Sequence, residues 1–167
     1  MQTFFTSDHH FGHERSLRWR PGFASVEHMD DYMVAAWNAV VPEHGARVYH
    51  LGDFAFSGRH AAAIRPRLNG TIRLIAGNHD PVKEMVKADL FQRVYGVWRE
   101  FPEFSFVASH VPIRAADLRH EMRWNVHGHL HDRADLSEPH HINVCVEVRD
   151  YRPVHVDEIL AEMKARA

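Results

Sequence analysis

Five short apolar runs in this chain stop in the same way, at an Asp, Asn or His just past the last apolar residue. Residues 2–7 lead into Asp8-His9-His10 and 47–51 into Gly52-Asp53. Residues 71–76 lead into Gly77-Asn78-His79-Asp80, 104–109 into His110, and 124–127 into Gly128-His129-Leu130-His131. The runs are rich in Val, Ile, Phe and Tyr and bounded by Gly, Asp, Asn or Pro, as strands are. In open α/β sheets, ligands collect at the carboxyl ends of strands. Five ends converging on one edge would therefore put two Asp, one Asn and several His into one pocket. The Gly before Asp53, Asn78 and His129 fits a sharp turn or close packing at each end.

The segments between these runs read as helices. The spacing predicts a helix over 26–41, where Val26, Met29, Met33, Trp37 and Val40 form one apolar stripe, Ser25 is the N-cap and Pro42 the stop. A second helix is expected over 59–68, ending near Asn69-Gly70. A short one over 81–88 takes Pro81 in its first turn, and a last one over 157–166 buries Ile159, Leu160 and Met163. Two further strand-like runs cover 91–101, broken at Gly96, and 142–148. Strands and helices alternate early and strands dominate late, an α/β arrangement ending in antiparallel or mixed sheet. No linker or repeat interrupts the 167 residues, so one domain over 1–167 is expected.

Composition removes several function classes. A single cysteine, Cys145, excludes a disulfide framework and a Cys-rich zinc site, and its apolar neighbours make it a buried, inert thiol. The formal net charge of −2 argues against a general nucleic-acid or membrane-surface binder. No apolar run approaches the ~18 residues of a membrane span, and the N-terminus lacks the pattern of a signal peptide. The expected location is the cytosol. The oddity is 16 His against 9 Gly.

Imidazole and carboxylate together suit Mn, Fe, Zn, Co or Ni. Side-chain alternation at a strand end would aim Asp8 and His10 one way and His9 the other, and the same holds for His129 and His131. Asp53 has two oxygens and could bridge two ions. Asn78 adds a carbonyl oxygen and His110 a nitrogen. That makes two sites of about four protein ligands each, with positions left for water, which marks a catalytic metal. Alone, each block is ordinary: Gly-Asp is a turn dipeptide, and Asn-His-Asp could cap the turn before Pro81. Their joint occurrence at successive strand ends is what argues for a common site.

The blocks Ser7-Asp8-His9-His10-Phe11-Gly12-His13, Leu51-Gly52-Asp53, Gly77-Asn78-His79-Asp80, Ser109-His110 and Gly128-His129-Leu130-His131, taken in order, resemble those of the calcineurin-like metallophosphoesterases. The small bacterial and phage-type members are the most similar. The resemblance implies a four-layer α/β/β/α sandwich with two divalent ions at one edge, manganese foremost and iron, zinc, nickel or cobalt as alternatives. It implies Asp8, His10, Asp53 and His131 around the first ion, and Asp53, Asn78, His110 and His129 around the second. His79 would be the general acid, with Asp80 orienting it. The implied reaction is hydrolysis of a phosphomonoester or phosphodiester by metal-activated hydroxide, the substrate being small, for example a nucleotide or cyclic nucleotide. A nuclease of the same superfamily would want a basic stripe or an extra domain to track nucleic acid, and neither is visible. A catalytically silent metal-binding module should have lost a ligand or His79, and this chain keeps them all.

The loop after the first block carries His13, Arg15, Arg18 and Arg20 beside Trp19 and Phe23. His13 and Arg20 are candidate substrate contacts on its rim, since Arg suits phosphate. His50 and His127 read as packing or ligand-supporting groups, and His140 and His141 as an exposed loop.

Overall fold

A computed structural model describes residues 1–133 and 136–167. Strands β1 (Gln2–Thr6), β2 (Ala46–His50), β3 (Thr71–Ile75) and β4 (Arg93–Tyr95) pair in parallel in the order β4-β3-β2-β1. A second sheet has the order β5-β6-β7-β8, from β5 (Trp98–Phe101), β6 (Phe106–Ser109), β7 (Trp124–His127) and β8 (His141–Asn143); only its β5 runs antiparallel. β9 (Val154–His155), which nothing in the sequence announces, joins the first sheet antiparallel to β1. The expected break at Gly96 is where the chain leaves one sheet for the other. The run 142–148 is a strand only as far as Asn143, after which Val146–Val148 form a 3-10 turn.

Helix α1 (Val26–Val40) forms as its apolar spacing requires. Met29, Met33 and Trp37 are fully buried, and Ser25 accepts the His28 N–H as N-cap. Helix α2 (Gly58–Ile64) stops short of residue 68 because Pro66 lacks an N–H, so Arg65–Arg67 tighten into a 3-10 turn. Pro81 caps α3 (Val82–Lys87) from just outside its first turn, and α4 (Val156–Arg166) ends the chain.

Alternation along the strands divides the core in two. Phe4, Val48, Ile72 and Leu74 point to one side of the first sheet and pack with Met29, Met33 and Trp37 of α1, Ile64 of α2 and Met85 of α3. Phe5, Tyr49 and Ile75 point to the other side and meet Phe101, Phe106, Ala108, Val126 and Ile142 of the second sheet. Ile159 and Met163 of α4 join this inter-sheet core.

The expected fourth, helical layer is a correction. Among the described residues, no α-helix covers the outer face of the second sheet. That face carries Ser109, Asn125, His127 and His141, polar groups that need hydrogen-bond partners when buried. A loop supplies them: Asn125 Oδ1 accepts from the Ile113 N–H at 2.7 Å, and His141 Nε2 donates to the Ile113 carbonyl at 2.9 Å. For the same reason His141 is buried rather than in an exposed loop, while Cys145 is buried as expected. No helix among the described residues is long and apolar enough to cross a membrane.

Candidate metal centre

The ends of β1, β2 and β3 in one sheet and of β6 and β7 in the other bring all seven expected ligands together. His131 Nε2 lies 3.9 Å from Asp8 Oδ1, which lies 3.8 Å from His10 Nε2. His10 Nε2 lies 3.6 Å from Asp53 Oδ2, and the same oxygen lies 3.5 Å from His110 Nε2. Beyond it, Asn78 Oδ1 is 2.9 Å from His110 Nε2 and 3.1 Å from His129 Nδ1. Two groups of donor atoms thus share one carboxylate oxygen, Asp53 Oδ2.

The backbone reaches this arrangement by a route that strand alternation does not describe. β1 ends at Thr6, and Asp8 (φ 62°), His10 (53°), Asp53 (54°), His129 (70°) and His131 (52°) are all left-handed. Non-glycine residues rarely adopt that region, and clusters of them mark functional sites held by their surroundings. Two glycines show how tightly. Gly52 has φ 97°, and a Cβ there would sit 2.6 Å from the Gly77 backbone; a Cβ on Gly128 would sit 2.0 Å from Ser7 Oγ.

Hydrogen bonds then select which atoms face inward. Asp8 Oδ2 accepts from the His129 N–H at 2.8 Å and from the Cys145 thiol at 3.2 Å, leaving buried Oδ1 without a partner among the described residues. Asp53 Oδ1 accepts from the His79 N–H at 2.8 Å, freeing Oδ2. His110 Nδ1 donates to the Leu51 carbonyl at 2.8 Å, so in the neutral ring Nε2 presents its lone pair. His131 Nδ1 donates to Glu147 Oε1 at 2.8 Å with the same result. Burial pushes His10 down to about 2, and both its nitrogens lack partners among the described residues. Unpaired oxygens and nitrogen lone pairs, buried and aimed at one another, are a donor set that fits divalent cations.

Two expectations change, and one residue was not foreseen. Asp80 does not orient the His79 ring: its carboxylate accepts the N–H groups of Asp53 and Gly77 on Oδ2 (2.9 Å each) and of Phe54 on Oδ1 (2.8 Å), stapling the β2 and β3 loops together. Arg20 is no substrate contact. It is 1% exposed, and its donors go to the carbonyls of Asp8 (2.6 Å) and His9 (2.8 Å) and to Glu147 Oε1. Glu147 itself was missed. Burial works against its charge, but His131 and Arg20 hold its carboxyl below the usual range, while Glu147 in turn lifts His131. A lone acid inside the apolar run 142–148 was the signal available.

His79 is exposed, its ring 5.5 Å from that of His10. His13 lies 5.7 Å from the His10 ring and stacks on Phe56 at 4.3 Å, so the structure does bring it to the rim. His50 is a packing group, paired with buried His9 at 2.9 Å; His127 donates to the Gly128 carbonyl at 2.8 Å and packs against His141. Glu138, His140 and His141 also cluster, but His141 accepts from the Glu138 N–H and donates to the Ile113 carbonyl, so it has no free lone pair.

No family model matches the chain. It is 33% identical over 168 aligned positions to the uncharacterized protein MJ1445 of Methanocaldococcus jannaschii, covering 94% of this chain and 88% of that protein. The chain belongs to the same family as MJ1445. It is also 34% identical over 110 residues to the Gene 66 protein of Mycobacterium phage L5, covering 64% of this chain and 52% of the phage protein. Among solved structures, the protein of unknown function AQ665 from Aquifex aeolicus superposes with a TM-score of 0.73 at 26% identity, over 95% of this chain and 97% of that one. The Pseudomonas putida nuclease MPE shares the fold with a TM-score of 0.50 at 22% identity, over 77% of this chain and 61% of the nuclease.

Proposed function

We propose that this member of the MJ1445 family is a dinuclear metal-dependent phosphoesterase of the calcineurin-like superfamily. The observation that carries the reading is Asp53 Oδ2, a single carboxylate oxygen 3.6 Å from His10 Nε2 on one side and 3.5 Å from His110 Nε2 on the other. Asp8, His10, Asp53 and His131 would hold one ion and Asp53, Asn78, His110 and His129 the other. Manganese leads, and Fe, Zn, Co and Ni suit the same donors. Divalent ions there would supply Lewis acidity, charge neutralisation for the phosphate and a nucleophile near neutral pH.

The chain's own groups do the rest. Leu51, Glu147 and Cys145 fix which atoms of His110, His131 and Asp8 face inward. Arg20 holds the carbonyls of Asp8 and His9 and so sets the turn that aims Asp8 and His10. His79, exposed beside His10 and anchored through its N–H to Asp53, would protonate the leaving alkoxide, and that nearness to His10 supports the role. His13 lines the same rim. The fold shared with a nuclease supports a phosphodiester as substrate, and a small diester is the preferred class.

The test is metal content together with turnover of p-nitrophenyl phosphate and bis(p-nitrophenyl) phosphate. Two ions per chain and diester hydrolysis are expected. Asp53→Asn should lose both, and His79→Asn should keep the ions and lower turnover by about 10²–10⁴-fold. An Asp53→Asn protein that still holds two ions would refute the shared oxygen. No turnover with Mn, Co, Ni or Zn would favour a silent metal-binding module.

A further inference from the structure

We propose that the substrate of this centre carries a nucleobase and that Trp19 is the residue that stacks against it. The inference rests on the metal-centre reading above and adds a substrate class to it.

Trp19 follows the 3-10 turn Glu14–Arg18 and is 44% exposed. Its neighbour on the chain, Arg20, is among the most deeply buried side chains in the molecule, tied to Asp8, His9 and Glu147. The Trp19 N–H also bonds the Ser16 carbonyl at 3.1 Å. The indole is therefore half-exposed on an anchored backbone. Core packing does not explain it, and large exposed apolar surface beside a polar site is a common sign of ligand contact.

Its position says which ligand. The Trp19 ring lies 6.0 Å from the His131 ring, 6.4 Å from His10 and 5.8 Å from His13, centroid to centroid, beside one of the two donor groups. A cavity of about 300 Å³ opens there, lined by Trp19, His131, Asp132 and Arg133. It has one aromatic wall, an acceptor in Asp132, a donor in Arg133, and a candidate metal ligand at its base. A planar group with a π-face and hydrogen-bonding edges, joined to a phosphate by one sugar, matches that lining. Asp132 and Arg133, both exposed, can offer an acceptor and a donor to the edges of such a base, contacts that an alkyl ester does not make. Arg15 and Arg18, both exposed on the turn before Trp19, give the same rim positive charge for the phosphates of a nucleotide. On the far side of His13, Phe56 (51% exposed) extends the aromatic wall, stacked on the His13 ring within 4° of parallel.

The experiment compares binding of AMP, ribose 5-phosphate and inorganic phosphate to the full-length, manganese-loaded protein by calorimetry, in the wild type, Trp19→Ala and Trp19→Phe. The base should make AMP bind about 10-fold more tightly than ribose 5-phosphate. Trp19→Ala should abolish that preference while leaving affinity for inorganic phosphate unchanged, and Trp19→Phe should retain most of it. Equal affinity for AMP and ribose 5-phosphate in the wild type, or a preference that survives in Trp19→Ala, would overturn the proposal and leave the phosphoesterase reading standing. Failure of all three phosphates to bind the metal-loaded protein would overturn both.

Discussion

Asp80→Asn separates two roles for a residue that stands next to the proposed general acid. In the structure the carboxylate takes three backbone N–H groups: Asp53 and Gly77 on Oδ2, Phe54 on Oδ1. An asparagine of the same shape has one oxygen. With that oxygen in the Oδ2 position it keeps two of the bonds, but its NH₂ then faces the Phe54 N–H across 2.8 Å, donor against donor. Losing one charge-assisted bond costs about 1.5–3 kcal/mol, and the two that remain weaken as the charge is removed. Against this, burial raises the Asp80 carboxyl despite the N–H bonds, so part of the carboxylate's advantage is already offset by its desolvation. The net expectation is a loss of about 2–3 kcal/mol, read from urea unfolding of metal-free protein. Because the staple joins the loops that carry Asp53 and Asn78, manganese affinity should fall about 10–100-fold as well. An Asp80→Asn protein with wild-type stability and wild-type manganese affinity, but a displaced pH–rate profile, would refute this reasoning and make Asp80 the partner of His79.

Two further outcomes are expected. Glu147→Gln leaves the Arg20 guanidinium buried without its anion and His131 without its carboxylate; thermal unfolding should show a loss of about 3 kcal/mol and calorimetry about 10–100-fold weaker manganese binding, and an unchanged melting curve would contradict the role. Asp30, buried under the first loop with the Gly12 N–H on its carboxylate, is pushed up to about 6 by that burial. The folded protein therefore holds a proton there that the unfolded chain has released, so this residue's contribution falls as pH rises from about 4 to 6 and stays low above that. Asp30→Asn should raise stability by about 2 kcal/mol at pH 7–8 and by nothing at pH 4; urea midpoints that rise equally at both pH values would refute the assignment.

The candidate site was legible because each ligand block carries its own local mark, a strand that ends in an Asp, Asn or His. Helix α1 was legible for a similar reason, since its apolar stripe and its Ser25 cap are written in neighbouring residues. What escaped is what only the folded chain decides. Arg20 and Glu147 are 127 residues apart, and no local pattern could pair them. Asp80 was assigned to the histidine beside it in sequence, whereas three N–H groups on turns, invisible in residue types, claim its oxygens. Alternation does describe Phe4 and Phe5, which lie on opposite sides of the first sheet. It was the wrong rule for Asp8 and His10, which lie past the strand end in left-handed turns. The fourth, helical layer was implied by the resemblance alone; Asn125 and His141 take their partners from a loop backbone, whose N–H and carbonyl groups a helix would keep for itself.

The link between Asp8 and His129 has a consequence for how such a centre comes into being. Asp8 Oδ2 waits for an N–H 121 residues further along the chain. During synthesis, Asp8 and His10 emerge early with neither His129 nor His131 to complete them, and their left-handed turns have none of the packing that enforces those angles. Until β7 is made, an ion meeting the growing chain finds at most five of the seven ligands, with Asp8 lacking the N–H that orients it. Only when β7 has docked beside β6 and the His131 loop has closed over Asp8 does a full set of donors exist. Capture of the ion is therefore a late event, tied to completion of both sheets, and the rate at which a refolding protein becomes able to retain metal should track its slowest long-range step rather than the formation of any one strand or helix.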